Sequence, residues 1–217
     1  MPIDGASRAI DCKYISGEGF SMRPDKSEKR SGEATRRRIL AAAIARFAHA
    51  SFEEVRLRDI AADVGVDVAL VHRSFGSKEQ LFAAAVVEAC PATLLSADRS
   101  RLGAVFASFA LESQQHDGLQ IFIRSLTSPL ARDLIRACCY RDFIGPLAAK
   151  LDGQAAQQRA ALFVSCLIGF SIMREVLRVE PLLADADSGP MIQRLLAACL
   201  DEIGPLVASD QNSSQSS

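Results

Sequence analysis

The chain has 217 residues, enough for one large domain or two modest ones, and is 49% hydrophobic and 24% charged, a balance that suits a globular protein. Its longest apolar stretch, Ala160–Met173, is bounded by Arg159 and Arg174 and is too short to span a bilayer; nothing resembles a signal peptide, so a cytoplasmic protein with no membrane partner is expected. The net charge of −1 points to no partner, but ten Lys/Arg stand against seven Asp/Glu between Lys29 and Leu81, and both flanks are acidic. A basic segment on an acidic remainder is the asymmetry of a small nucleic-acid-binding module attached to a larger domain.

Long runs of good helix formers with little strand-type alternation predict an all-α fold. Residues 1–32 are polar, mixed in charge and without periodicity, and are expected to be a disordered extension. Met22 begins a plausible alternative start. A first helix is predicted from Glu33 to Ala48, with Ile39, Leu40, Ala43, Ile44 and Phe47 as its apolar stripe. Arg36, Arg37 and Arg38 would crowd its first turn, where cations oppose the helix dipole; a polyanionic partner would offset that cost. Thr35 is placed to cap the helix or to reach a phosphate.

The stretch Asp59–Leu81 reads as helix, tight turn, helix and the start of another. Ala61 permits a close crossing, and Gly65 sits where the turn needs positive φ. Ile60, Val64, Val66, Val71 and Phe75 supply the inward apolar set of a helix-turn-helix. Asp67 is the N-cap of the second helix, whose outer face would carry Val68, Ala69, His72 and Arg73. An ordinary buried helical hairpin is the alternative for this fragment alone.

The flanks decide between them. The order of motifs across Ala34–Phe82 resembles the DNA-binding domain of TetR-family transcriptional regulators. These motifs are Thr-Arg with Ile-Leu and Ala-Phe on the first helix, Arg-Asp-Ile-Ala on the second, Gly-Val in the turn, and Phe-Gly-Ser-Lys-Glu-x-Leu opening the fourth. The resemblance implies a three-helix DNA-binding domain (residues 33–81), then a larger helical domain for dimerisation and effector binding (82–208), with 209–217 a disordered tail. It departs at Ser51, where the family has Gly, and at Arg56, where a capping Ser/Thr is usual. His72 and Ser74 stand where aromatic or His residues are common. The second helix should therefore lack a side-chain cap, at a cost of about 1 kcal/mol.

A helix in the major groove would present its outer residues to base edges. Arg73 is the leading candidate for base or phosphate contact; His72 can donate a hydrogen bond, and Val68 and Ala69 can pack on thymine methyls. Thr35, Arg36, Arg56, Arg58 and Lys78 should hold phosphates.

Further along, helices are predicted from Lys78 to about Leu95, across Leu102–Gln114 and Leu119–Leu126, and from Ser128–Pro129 to about Leu151 with a bend at Gly145-Pro146. Ala155–Val179 and Pro190–Val207 follow. Ala155–Val179 is apolar almost all round and needs cover on two sides. Leu162, Cys166 and Gly169, with Leu195, Leu196, Cys199 and Ile203 of the last helix, form the candidate dimer face. Two helices from each subunit would make a four-helix interface. Arg159, Ala160, Gly169 and Arg174 follow the order of the penultimate helix in TetR-family regulators. An effector pocket would be lined by Phe106, Phe109, Phe122, Phe143, Phe163, Phe170 and Met173, with Arg174 as polar anchor, and would take a small, largely apolar molecule.

Cys12, Cys90, Cys138, Cys139, Cys166 and Cys199 show no metal-ligand spacing, and no cofactor or metal is expected. No cation cluster beside Cys138 and Cys139 marks a reactive thiolate. Only His49, His72 and His116 are available as histidines, none with a nucleophile or metal partner at suitable spacing, so an enzyme is not expected. The leading reading is a homodimeric, sequence-specific regulator, a repressor released by an effector. A ligand-binding or scaffold protein with vestigial DNA binding is the alternative.

Overall fold

A computed structural model describes residues 26–90, 92–112 and 117–201; the expectations for residues 1–25, His116, Ile203 and the C-terminal tail lie outside them. All regular structure among the described residues is helical. The first helix, α1, runs Lys26–His49, seven residues earlier than predicted. Lys, Arg and Glu dominate its start, and Gly32, worth only ~1 kcal/mol against helix, does not stop it. Arg36–Arg38 consequently lie about three turns inside, beyond the reach of the end dipole, and the cost ascribed to them disappears. Thr35 caps nothing: its hydroxyl donates to the Ser31 carbonyl one turn back, at 3.0 Å. Ile39, Ala43 and Phe47 are the buried stripe.

The helix-turn-helix follows as α2 (Leu57–Val64) and α3 (Val68–Phe75). Gly65, at φ 71°, closes α2. Its N–H donates to Ala62 O, and that of Val66 to Ala61 O, the reciprocal pair that satisfies a helix's last carbonyls. Arg56, at the N-terminal boundary, makes no capping bond, whereas Asp67 caps α3 by accepting from Ala69 N at 2.7 Å. The next helix, α4 (Lys78–Ala89), begins with a capping box in which Ser77 and Gln80 satisfy each other's backbone N–H groups. Phe47, Phe52 and Phe82 join α1, its following loop and α4, the Phe82 ring lying edge-on to both partners.

This core does not end with α4. It takes in Ile121 of α6 (Asp117–Ser125) and Ala131, Ile135 and Cys138 of α7 (Pro129–Cys138). Arg124 donates from Nε to Ala48 O at 2.8 Å, tying α6 to the end of α1. At Gly118 a Cβ would stand 2.6 Å from Ala89 O, so only glycine lets α6 begin this close to the end of α4. Ser128 caps α7 and Pro129 occupies its first turn, as the sequence suggests. The helix expected to reach Leu151 is divided. A π turn at Cys139–Ile144 leads to the short α8 (Gly145–Ala148), where Pro146 has no N–H to continue the ladder.

The second core lies among α5 (Arg99–Glu112), α8, α9 (Ala156–Ser171) and α10 (Asp185–Leu200), with Phe106 and Phe163 edge to face at its centre. Gly103 brings α5 against α10; a Cβ there would be 3.1 Å from Ala197 N and Gln193 O. Arg159 is wholly buried and donates to Asp152 O (2.7 Å) and Leu200 O (2.6 Å), placing a cation at the carbonyl end of α10. The last helix starts at Asp185 rather than Pro190, with Pro190 inside its first turns.

Candidate nucleic-acid interface and apolar cavity

The exposed side of α3 carries Val68, Ala69, His72 and Arg73. Their outward direction follows from the inward pull of Val71 and Phe75, both buried, on an eight-residue helix. Arg73 makes no hydrogen bond or ion pair among the described residues. His72 Nδ1 donates to Gly76 O at 2.9 Å. Arg56 is exposed at the N-terminal boundary of α2, and Arg58 lies 3.8 Å from Asp59, a weak exposed pair.

Other cations near this face are committed to the protein. Arg36 lies over the Phe75 ring, 4.0 Å from its centre, and donates to Ser74 O. Lys78 rests 4.4 Å above the Phe52 ring and donates to Glu53 O at 3.3 Å. Burial lowers the Lys78 ammonium's pKa, with Glu53 and Glu79 opposing that shift. Arg38 donates to Val64 O at 2.7 Å, and Arg46 grips Asp63 with two bonds of 2.6 and 2.7 Å. The Arg46 guanidinium holds the Asp63 carboxyl below the usual carboxylate range. Sequence reading missed both clamps, whose partners lie 26 and 17 positions away.

An apolar cavity of about 110 Å³ lies where the two cores meet. Val86 and Ala89 of α4 and the following Cys90, Leu119 and Ile121 of α6, Ile135 and Cys139, and Leu167, Ile168 and Ser171 of α9 wall it, together with Phe106, Phe109, Phe122, Phe143 and Phe163. Phe170, Met173 and Arg174 do not line it. The helix passes into a π turn at Ile172–Val176, which rotates the following side chains out of register and leaves Met173 exposed. Arg174 is no anchor in the cavity; it donates to Leu182 O at 2.6 Å. Among the described residues, no charged group lines the wall. Burial pushes the Cys90 thiol up to about 12 and raises Cys139 as well, so both stay protonated. Arg141 approaches Cys138 Sγ at 3.7 Å, but burial outweighs it and that thiol is raised too.

On the opposite side, α9 and α10 expose Leu162, Met191 and Leu195. The stripes through Leu162–Cys166 and Leu195–Cys199 meet where the two sulfurs lie 3.9 Å apart. Leu196 does not belong to this face. With Ile192 and Leu200 it forms the inward stripe of α10 and is wholly buried in the chain's own core. Gly169 is exposed with no neighbour around its Cβ position, so within the chain it enables no close crossing.

A capped helix-turn-helix carried on a larger helical body defines a DNA-binding regulator. Residues 39–85 match the model for bacterial regulatory proteins of the tetR family, and residues 100–201 match that for the tetracycline repressor-like C-terminal domain. The chain belongs to the TetR family of transcriptional regulators. Comparison with curated proteins gives no match. Among solved structures, the SmeT–triclosan complex is 20% identical, with a TM-score of 0.59 over 85% of this chain and 100% of that one. NalD, the secondary repressor of the MexAB-OprM multidrug efflux pump in Pseudomonas aeruginosa, is 19% identical, with a TM-score of 0.56 over 78% and 97%. A transcriptional regulator from Streptomyces coelicolor A3(2) is 21% identical, with a TM-score of 0.55 over 77% and 99%. At these identities the likeness is one of fold.

Proposed function

We propose that the protein is a homodimeric cytoplasmic repressor whose α3 enters the major groove of an operator and whose cavity takes a small apolar effector. The outward set Val68, Ala69, His72 and Arg73, on a helix capped at its start by Asp67, carries this reading. Arg73 contacts a base or phosphate, while Arg56 and Arg58 hold the backbone, with Thr35, Arg36 and Lys78 at the rim. The division into a DNA-binding part, residues 33–81, and a dimerisation and effector part, 82–208, falls within α4, which serves both.

Two such units related by a two-fold axis meet half-sites about one helical turn apart, ~34–36 Å. Leu162, Cys166, Gly169, Leu195 and Cys199 make the dimer face, because an exposed apolar surface on paired helices needs cover. The cavity touches both α4 and α6, and α6 is tied to α1 by Arg124. A ligand that spreads these walls favours an arrangement in which the two α3 helices no longer match their half-sites. SmeT, a neighbour in fold, is solved as a complex with triclosan, an aromatic apolar molecule of the kind such a wall suits. The test is retention of genomic fragments by the purified protein, followed by release on adding neutral aromatic compounds. Fragment binding whose affinity falls steeply with salt, relieved by such a compound, is expected. Failure to retain any fragment overturns the reading.

A further inference from the structure

The end of α3 fixes which hydrogen-bonding atom its outer face offers to DNA. Gly76 N–H donates to His72 O at 2.7 Å, and His72 Nδ1 faces Gly76 O at 2.9 Å, so ring and backbone close on each other. A carbonyl oxygen only accepts, which places the imidazole proton on Nδ1. In the neutral ring Nε2 is then a bare lone pair. This carbonyl stands where it does because residue 76 is glycine. Its φ of 81° lies in the left-handed region, and a Cβ would collide with Gln80 Oε1, the atom of the capping box that accepts from Ser77 N.

We propose that His72 is a specificity residue that reads DNA as an acceptor, taking a hydrogen bond at Nε2 from the exocyclic amine of adenine or cytosine. This rests on the reading that α3 lies in the major groove. There the amines of adenine and cytosine are the only base donors; guanine and thymine would set oxygen or nitrogen lone pairs against another lone pair. The expectation that His72 donates is thereby reversed. The neighbouring Arg73 has donors only and suits the acceptor edge of guanine. Adjacent side chains therefore offer opposite hydrogen-bonding character to the groove.

Two measurements test the proposal. In the full chain at mildly alkaline pH, long-range proton–nitrogen correlation spectra should show the His72 ring protonated at Nδ1 and bare at Nε2, the signal being assigned by its loss in His72→Ala. A proton on Nε2 overturns the proposal. Selection from random duplexes with wild type and His72→Ala should then reveal one half-site position, an adenine or a cytosine, whose preference disappears in the variant. Replacing that base by its analogue without the amine should weaken wild-type binding about five- to tenfold, the worth of one neutral hydrogen bond, and leave the variant unchanged. A preference that survives in His72→Ala, a requirement for guanine or thymine, or an equal loss on all sequences overturns it. Enrichment of no sequence by wild type instead overturns the function on which the proposal rests.

Discussion

Arg73 is exposed with no bond or ion pair among the described residues, whereas Arg36, Arg38, Arg46 and Lys78 are held by rings, carbonyls or a carboxylate. Replacing Arg73 by Ala should weaken operator binding at least ~10-fold, within the ~1–3 kcal/mol of a good base contact, while the dimer and its thermal midpoint persist. Binding isotherms beside sedimentation would show it; unchanged affinity removes Arg73 from the site. The Arg46–Asp63 clamp predicts the opposite phenotype. A carboxyl with its folded pKa lowered adds stability that is present above its unfolded value and lost as pH falls through the lowered one. The difference in thermal midpoint between wild type and Asp63→Asn should therefore be present at neutral pH and shrink toward acid. A gap that widens toward acid contradicts the assignment. The turn was legible in sequence because Gly65 and Asp67 act on their immediate neighbours. The arginine partners were not, since a guanidinium reaching 26 positions along the chain leaves no local pattern.

Among the elements, α6 joins the cavity to the DNA-binding core. It lines the cavity with Leu119, Ile121 and Phe122, abuts Ala89 through Gly118 and holds the end of α1 through Arg124. A methyl group at Gly118 would force α6 and α4 apart. Gly118→Ala should cost about 1–3 kcal/mol of stability, measured by denaturant unfolding, and weaken operator binding without touching DNA. Equal stability and affinity would show that the close approach is dispensable. Filling the cavity separates its two expected roles: Leu167→Trp should abolish release by aromatic ligands while the operator is still bound. Release at wild-type ligand concentration would place the effector elsewhere. Five phenylalanines of the wall were found from helical spacing alone. Met173 and Arg174 were lost because the π turn at Ile172–Val176 breaks the 3.6-residue period on which such spacing depends, whereas Phe170, still within α9, packs against the second core.

At the scale of the whole molecule, one recognition helix offers little selectivity and two offer a symmetric site. The apolar face of α9 and α10 is where a second copy is expected, with Leu162 and Leu195 each half exposed. Placing Glu at both positions should yield a folded monomer in sedimentation that binds operator far more weakly; a dimer that persists moves the interface. Leu196 shows why such a face is only partly readable in sequence. A helix covered on two sides carries leucines on both, and the pattern does not say which set meets its own core. Selection from random duplexes with this chain, combined with the mass of the bound complex, tests the symmetric arrangement. It should return an inverted repeat with half-site centres about one helical turn, ~34–36 Å, apart, and two chains per duplex. Enrichment of an asymmetric single site by one chain, or of no sequence, would contradict it.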